Sequence, residues 1–301
     1  MLLARGERQH QGAGRSGASE AAGRDHGRSV TEEGNYGRAV PDAREDHLTG
    51  RRAEEQLRAV VGADPDRTAL FFDFDGTLAP IVPDPSSAAA IPGAVELLEQ
   101  LARRFRRIAV VSGRPRAFLV DRVGAGVDLS GVYGLETRIG GVDADHDEAH
   151  RWRSVIAEVA ASGAGLPSGV LVESKGLSLT VHFREVPDAE AEVLAWADDA
   201  ARTAGLEARA AKRSVELHPP LAVDKGTSVL ALSEGCSTVA YLGDDLGDLP
   251  AFAALDRLAA SGVTTCKVAI SSDELHDDVA AAADLVLDGP QAVLAALGPL
   301  A

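Results

Sequence analysis

Three groups of residues in this sequence have the types and spacing for phosphoryl chemistry. Asp73 and Asp75 flank one phenylalanine directly after the apolar run Ala69-Leu70-Phe71-Phe72, and Gly76-Thr77 follow. A second apolar run, Thr238 to Leu242, ends in Gly243-Asp244-Asp245-Leu246-Gly247-Asp248, and Lys225-Gly226 precedes it. A carboxylate attacks a phosphate dianion poorly unless a cation screens the repulsion, so paired carboxylates at a strand end suggest a Mg²⁺ site. Each group also has a plain explanation as a turn, a loop or a solvated helix start. Two acidic strand ends in one sheet are harder to explain that way, because unpaired carboxylates repel unless a cation lies between them.

Elements with the right pattern stand around these residues. Buried apolar runs at 69–72, 108–111 and 238–242 each end in a small polar turn, the middle one in Ser112-Gly113-Arg114. Between them, helices are expected where Val95, Leu98, Leu101 and Phe105 recur at three- and four-residue steps, after Pro115, and over 227–233 and 249–258. Strand and helix alternate, which predicts an α/β fold: a Rossmann-like parallel sheet with helices on both faces and ligands at the carboxyl ends of its strands. From about residue 140 the pattern changes. Leu177, Leu179, Val181 and Phe183 alternate with Ser178, Thr180, His182 and Arg184, the mark of an antiparallel strand with one buried face. With helices near 152–161 and 188–203 and strands near 170–173, 206–211 and 214–217, residues 140–220 form an α-β-β-α-β-β module. That module is expected as an α+β cap on a core of 51–139 and 221–301.

Composition narrows the partners. A formal net charge of −16 argues against non-specific nucleic-acid binding and against an anionic membrane surface. Cys236 and Cys266 have neither disulfide-framework nor metal-ligand spacing, so free thiols in a reducing, cytoplasmic compartment are expected. Residues 1–50 are rich in Gly, Arg, Ser and Glu with few apolar residues, which predicts a disordered tail. The residues leave open whether that tail is functional or arises from a start assigned too far upstream. No signal peptide or bilayer-spanning stretch is expected.

The ordered motifs Asp73-Phe74-Asp75-Gly76-Thr77, Ser112-Gly113-Arg114, Lys225-Gly226 and Gly243-Asp244-Asp245 resemble the haloacid dehalogenase superfamily. Within it, Gly134-Leu135-Glu136, the stretch Val172 to Arg184 and Val215-Glu216-Leu217 resemble the trehalose-6-phosphate phosphatase family. The resemblance covers about 65–295. It implies a nucleophile at Asp73, an acid-base at Asp75, phosphoryl contacts from Ser112 and Lys225, and Mg²⁺ held by Asp73, the Asp75 carbonyl and Asp244, supported by Asp245 or Asp248. It assigns Arg114, Glu136, Glu173, Lys175, His182, Arg184 and Glu216 to the substrate or its immediate support. From the residues alone, the polar face of 178–184 also fits an ordinary solvated sheet face.

Two departures stand out. The second acidic motif continues as Leu246-Gly247-Asp248-Leu249-Pro250 where the family usually has Thr, Asp and Glu, and Tyr133 replaces a histidine common before Gly-Leu-Glu. The expectation is a monomeric, Mg²⁺-dependent hydrolase of a small sugar phosphate, trehalose 6-phosphate. Its rivals are another sugar-phosphate phosphatase of the same capped architecture and a non-catalytic sugar-phosphate-binding regulator.

Overall fold

The computed structural model describes residues 48–301, apart from 212, 273 and 274. The expected tail therefore lies outside the described residues except at its last three positions, and these are built into the fold. Leu48–Thr49 form β1, which pairs in parallel with the last strand, and Gly50 opens α1, Gly50–Val61.

In chain order the core continues with β2, Thr68–Phe72; α2, Ala94–Ala102; β3, Arg107–Val111; α3, Arg116–Val123; β4, Asp128–Gly131; β5, Glu136–Ile139; and β6, Val142–Asp145. Then come α4, Ala149–Ser162; β7, Leu171–Ser174; β8, Leu179–His182; α5, Glu190–Ala204; β9, Glu207–Ala211; and β10, Ser214–His218. The chain returns through α6, Lys225–Leu232; β11, Thr238–Gly243; α7, Leu249–Ala260; β12, Thr264–Ser271; α8, Asp277–Ala282; β13, Leu285–Asp288; and α9, Gly289–Leu297.

The larger sheet has the order β1-β13-β12-β11-β2-β3-β4-β5-β6. Its strands are parallel from β1 to β4, and β5 and β6 add an antiparallel hairpin at the edge. Strand alternation divides its side chains between two faces. Leu70, Phe72, Val110 and Leu242 pack with α1, α2 and α9, whereas Ala69, Phe71, Val111 and Tyr241 pack with α6, α7 and α8. β2 is central and buried along its whole length, so Asp73 leaves the sheet from a strand held on both sides and covered on both faces.

The β5–β6 hairpin was not anticipated. All of β6 is exposed, so no apolar alternation marks it, and the larger sheet runs through Asp145, past the change of pattern expected near 140. The smaller sheet, β7-β8-β10-β9, is antiparallel throughout and buries one face under α4 and α5 through Trp152, Ile156, Leu179, Val181, Val193 and Val215. Among the described residues, no helix is long and apolar enough to cross a membrane.

Candidate active site

Local chemistry delivers each acidic group to the carboxyl edge of the larger sheet. The Asp73 N–H donates to the Leu242 carbonyl at 2.9 Å, joining the turn after β2 to the end of β11. Gly76 holds φ at +79°, and a β-carbon there would lie 1.9 Å from Asp244 Oδ2. The glycine therefore lets the turn after β2 and the loop after β11 approach. Lys225 is set by its neighbour: Asp224 accepts from the Thr227 N–H at 2.7 Å and the Thr227 hydroxyl accepts from the Asp224 N–H at 3.0 Å, a reciprocal cap that starts α6. Its ammonium then reaches Asp73 Oδ1 at 3.0 Å and Asp248 Oδ1 at 2.6 Å.

Asp248 is fully engaged. Oδ1 also accepts from the Tyr241 hydroxyl at 2.6 Å, and Oδ2 accepts from the N–H groups of Asp244 and Asp245 at 2.8 and 3.1 Å. This saturation suits support of the acidic loop. Tyr241 was missed in the sequence, although a tyrosine in a buried strand signals a partner for its hydroxyl. Asp245 is solvent-facing and caps the turn that follows, accepting from the Gly247 N–H at 2.9 Å. The departure at Leu246 to Pro250 therefore leaves the loop intact, with Pro250 in the first turn of α7.

Carboxylate oxygens of Asp73, Asp244 and Asp248 lie within 4.8 Å of one another, and Asp244 Oδ1 is buried without a hydrogen-bond partner. Burial, then the charges of Asp73, Asp245 and Asp248, push the Asp244 carboxyl up to about 10. Burial also raises Asp73 well above the usual range, against the pull of Lys225. Burial alone would discharge Lys225, but Asp248 and Asp73 hold its ammonium well above the ordinary lysine value. One lysine does not neutralise this many carboxylates. The residues fit a hard divalent cation, with the orphaned oxygen of Asp244 and the nearer oxygens of Asp73 as ligands.

Asp75 takes a different course. Both of its oxygens accept from Arg114, Oδ2 from Nε at 2.7 Å and Oδ1 from Nη2 at 2.8 Å. Arg114 Nη1 also donates to Glu173 on β7 at 3.1 Å, so one guanidinium links the strand-end motif to the smaller sheet. Ser112, Arg114, Lys175 and Lys225 line a cavity of about 140 Å³ with Asp73, Asp75 and Tyr133. A larger cavity of about 330 Å³ opens at the amino ends of β3 and β4, lined by Phe105, Arg107 and Asp128. It lies at the opposite end of the strands from these carboxylates.

The remaining residues expected at the substrate separate into two sets. Glu173, Lys175, His182 and Glu216 are brought together: His182 Nε2 lies 3.0 Å from Glu173, Lys175 Nζ lies 3.2 Å from Glu216 Oε1, and Ser178 donates to the same Oε1 at 2.9 Å. Despite burial, His182, Lys175 and Arg114 hold Glu173 below its ordinary value, and Lys175, Tyr133 and Ser178 do the same for Glu216. The polar residues leading into and along β8 do not form a solvated face, since Ser178 and Thr180 are buried, as is Glu216 opposite Thr180 on β10.

Glu136 and Arg184 fall elsewhere. Glu136 accepts from the Arg116 N–H at 2.9 Å and from Arg153 at 2.8 Å, so both oxygens hold the start of α3 and the side of α4. It is a joint between the two sheets and contributes nothing to the cavity lining. Arg184 sits in an exposed turn beyond the end of β8. Regular alternation through 177–184 suggested one long strand, but β8 stops at His182, so a position past its end no longer shares its face.

The trehalose-phosphatase family model matches residues 71–291. The chain belongs to this family. It is 36% identical to the trehalose-phosphate phosphatase of Mycobacterium avium over 235 residues, covering 74% of this chain and 59% of that one. It is 32% identical to the enzyme of that name from Mycobacterium marinum, covering 94% of this chain and 79% of the relative. The chain thus spans about three-fifths of the length of the first of these relatives. Among solved structures, the C-terminal domain of Candida albicans trehalose-6-phosphate phosphatase aligns at a TM-score of 0.68 and 25% identity, covering 84% of this chain and 98% of that one. A trehalose-6-phosphate phosphatase related protein shares the fold at a TM-score of 0.63 and 22% identity, covering 77% and 96%. Family membership and the capped phosphatase fold agree with the expectation from the sequence.

Proposed function

We propose that this protein is a Mg²⁺-dependent phosphatase that hydrolyses trehalose 6-phosphate through an aspartyl-phosphate on Asp73. The observation that carries this is the cluster of Asp73, Asp244 and Lys225; Asp73 and Lys225 line one small cavity with Arg114 and Lys175, which in turn hydrogen-bond the carboxylates Glu173 and Glu216 of the smaller sheet. The similarly named relatives supply the choice of sugar.

In the first step a carboxylate oxygen of Asp73 attacks phosphorus and the bond to the sugar oxygen breaks. Asp75 gives that oxygen its proton. In the second step water attacks phosphorus, Asp75 takes a proton from it, and phosphate leaves with Asp73 restored. Bound Mg²⁺ would screen the charge between nucleophile and phosphate and keep Asp73 ionised. Lys225 and the Ser112 turn would meet the phosphoryl oxygens as charge shifts toward them.

Both oxygens of Asp75 accept from Arg114, a two-pronged contact. To act as acid it must free one oxygen, and Glu173, already 3.1 Å from the same guanidinium, is the alternative partner. The cavity of about 140 Å³ is below the roughly 300 Å³ at which small-molecule pockets begin. A disaccharide phosphate therefore enters with the cap displaced, and closure then shields the reacting centre from bulk solvent, leaving only the attacking water.

The test is phosphate release from a panel of sugar phosphates, with and without chelator, for wild type and Asp73→Asn. Mg²⁺-dependent turnover that favours trehalose 6-phosphate and is lost in the variant is expected. Activity that survives in Asp73→Asn would refute the mechanism, and preference for another sugar would refute the substrate.

A further inference from the structure

Tyr133 is a core side chain in this chamber with no part in the phosphoryl steps. Its hydroxyl donates to Glu216 Oε2 at 2.7 Å, and it lines the cavity beside Asp73, Ser112 and Lys225. Its ring lies against the Ser112-Gly113-Arg114 turn, where a β-carbon added to Gly113 would meet the hydroxyl at 2.7 Å. The side chain therefore stands between the turn proposed to hold the phosphoryl group and the carboxylate proposed to hold the sugar.

The backbone is strained to put it there. Val132 and Tyr133 are consecutive residues at φ 45° and 58°, a left-handed conformation that β-branched and aromatic residues rarely adopt. Anchors on both sides hold it. Val132 N–H donates to the Arg114 carbonyl at 2.9 Å and Tyr133 N–H to the Ser112 carbonyl at 3.1 Å, which hangs the segment on the phosphoryl turn. Val132 and Leu135 are buried in the apolar cluster of the smaller sheet. Strain of this kind persists only where the surroundings over-determine it, and it collects at working sites.

Lys175 and Ser178, on the smaller sheet's side, fix one oxygen of Glu216. Tyr133 fixes the other from the core. Burial, then the charge of Glu216 and the hydrogen bond to it, push the phenol well above its ordinary value, so it remains the donor of the pair.

We propose that Tyr133 is a positioning residue for sugar recognition, which aims Glu216 at the hydroxyls of the leaving group when the cap is closed and so helps decide which phosphate esters are accepted. This rests on the reading of the site as a sugar-phosphate phosphatase. A leaving group without hydroxyls, such as that of p-nitrophenyl phosphate, gives Glu216 nothing to recognise and makes no use of Tyr133.

The experiment forms a ratio: kcat/KM for the sugar phosphate that wild type hydrolyses fastest, over kcat/KM for p-nitrophenyl phosphate. Tyr133→Phe lowers this ratio about tenfold, chiefly through KM for the sugar phosphate, as expected for losing one hydrogen bond to a charged group. Glu216→Gln lowers it too, and the double variant falls no further than the weaker single variant, because both act through one carboxylate. Measured below the melting transition, the ratio cancels any loss of folded protein between the two substrates. An unchanged ratio in Tyr133→Phe, or losses that multiply in the double variant, overturns the proposal. A wild type that prefers a sugar phosphate other than trehalose 6-phosphate overturns the substrate named above and leaves this ratio as informative as before.

Discussion

Replacing Gly76 by alanine tests how closely the two acidic loops must approach. The new β-carbon would lie 1.9 Å from Asp244 Oδ2, whereas ordinary contact begins at 3.4 Å, so the carboxylate must retreat by about 1.5 Å. The backbone, at φ +79°, also resists a side chain, at roughly 1–2 kcal/mol. For a protein of this size that corresponds to a fall in melting temperature of roughly 2–8 °C. A misplacement of about 1 Å in a catalytic group costs on the order of 100-fold in rate, so kcat/KM for phosphate release should fall by at least about that factor and the Mg²⁺ needed for half-maximal activity should rise. Gly205→Ala is the matched control. Gly205 ends α5 at φ +70° with nothing near its missing side chain, so it suffers the same backbone penalty without moving a ligand. Its melting temperature should fall by a similar amount while kcat/KM stays at the wild-type value. If Gly76→Ala remains folded and its kcat/KM also stays near wild type, the placement of Asp244 is not what the chemistry depends on, and the proposed metal site is wrong.

Other perturbations have separate signatures. Chelation should abolish phosphate release, and added Mg²⁺ should restore it and raise the melting temperature of wild type more than that of Asp244→Asn, as read by a thermal-shift titration. Arg114→Lys loses the two-pronged contact with Asp75 and the link to Glu173; kcat should drop about tenfold or more because a point charge does not reproduce that fork, and an unchanged kcat in steady-state assays would contradict the role. Glu173 and Glu216 are held below their ordinary value of 4.5, so their contribution to stability is full above about that pH and is lost as pH falls through the lowered folded values. Melting curves between pH 3 and 6 should therefore be less pH-sensitive in Glu216→Gln than in wild type. Tyr241→Phe removes a buried donor from Asp248 and should lower stability by about 1–3 kcal/mol, measured by chemical denaturation.

The structure also refines what the cap carboxylates do. Glu173 and Glu216 are each held from the core, by Arg114 and Tyr133 respectively. Core donors thus sit on the groups expected to receive sugar hydroxyls, in a chamber too small for a disaccharide.

Much of the architecture was legible because burial leaves a periodic trace. β2, β3 and β11 are continuous apolar runs, as strands covered on both faces must be, and the polar residues after them marked the edge proposed for catalysis. Asp73, Asp75, Lys225 and Asp244 could be picked out because each follows a strand or opens a helix, so local sequence fixes where its backbone points. The β5–β6 hairpin could not be found this way, since exposed edge strands carry no apolar alternation. Glu136 and Arg184 were assigned to the substrate from the family resemblance, with one strand's alternation as the only support from the residues themselves for Arg184. The first is consumed by Arg116 and Arg153, and the second follows a strand that ends early. Tyr133 points the same way: its use depends on a left-handed turn and on Glu216, 83 residues further along the chain. Sequence alone determined which carboxylates could do the chemistry, because their positions follow from local backbone geometry. Which of them are left free to do it was decided by tertiary structure, because hydrogen-bond partners for a buried carboxylate come from wherever the chain returns.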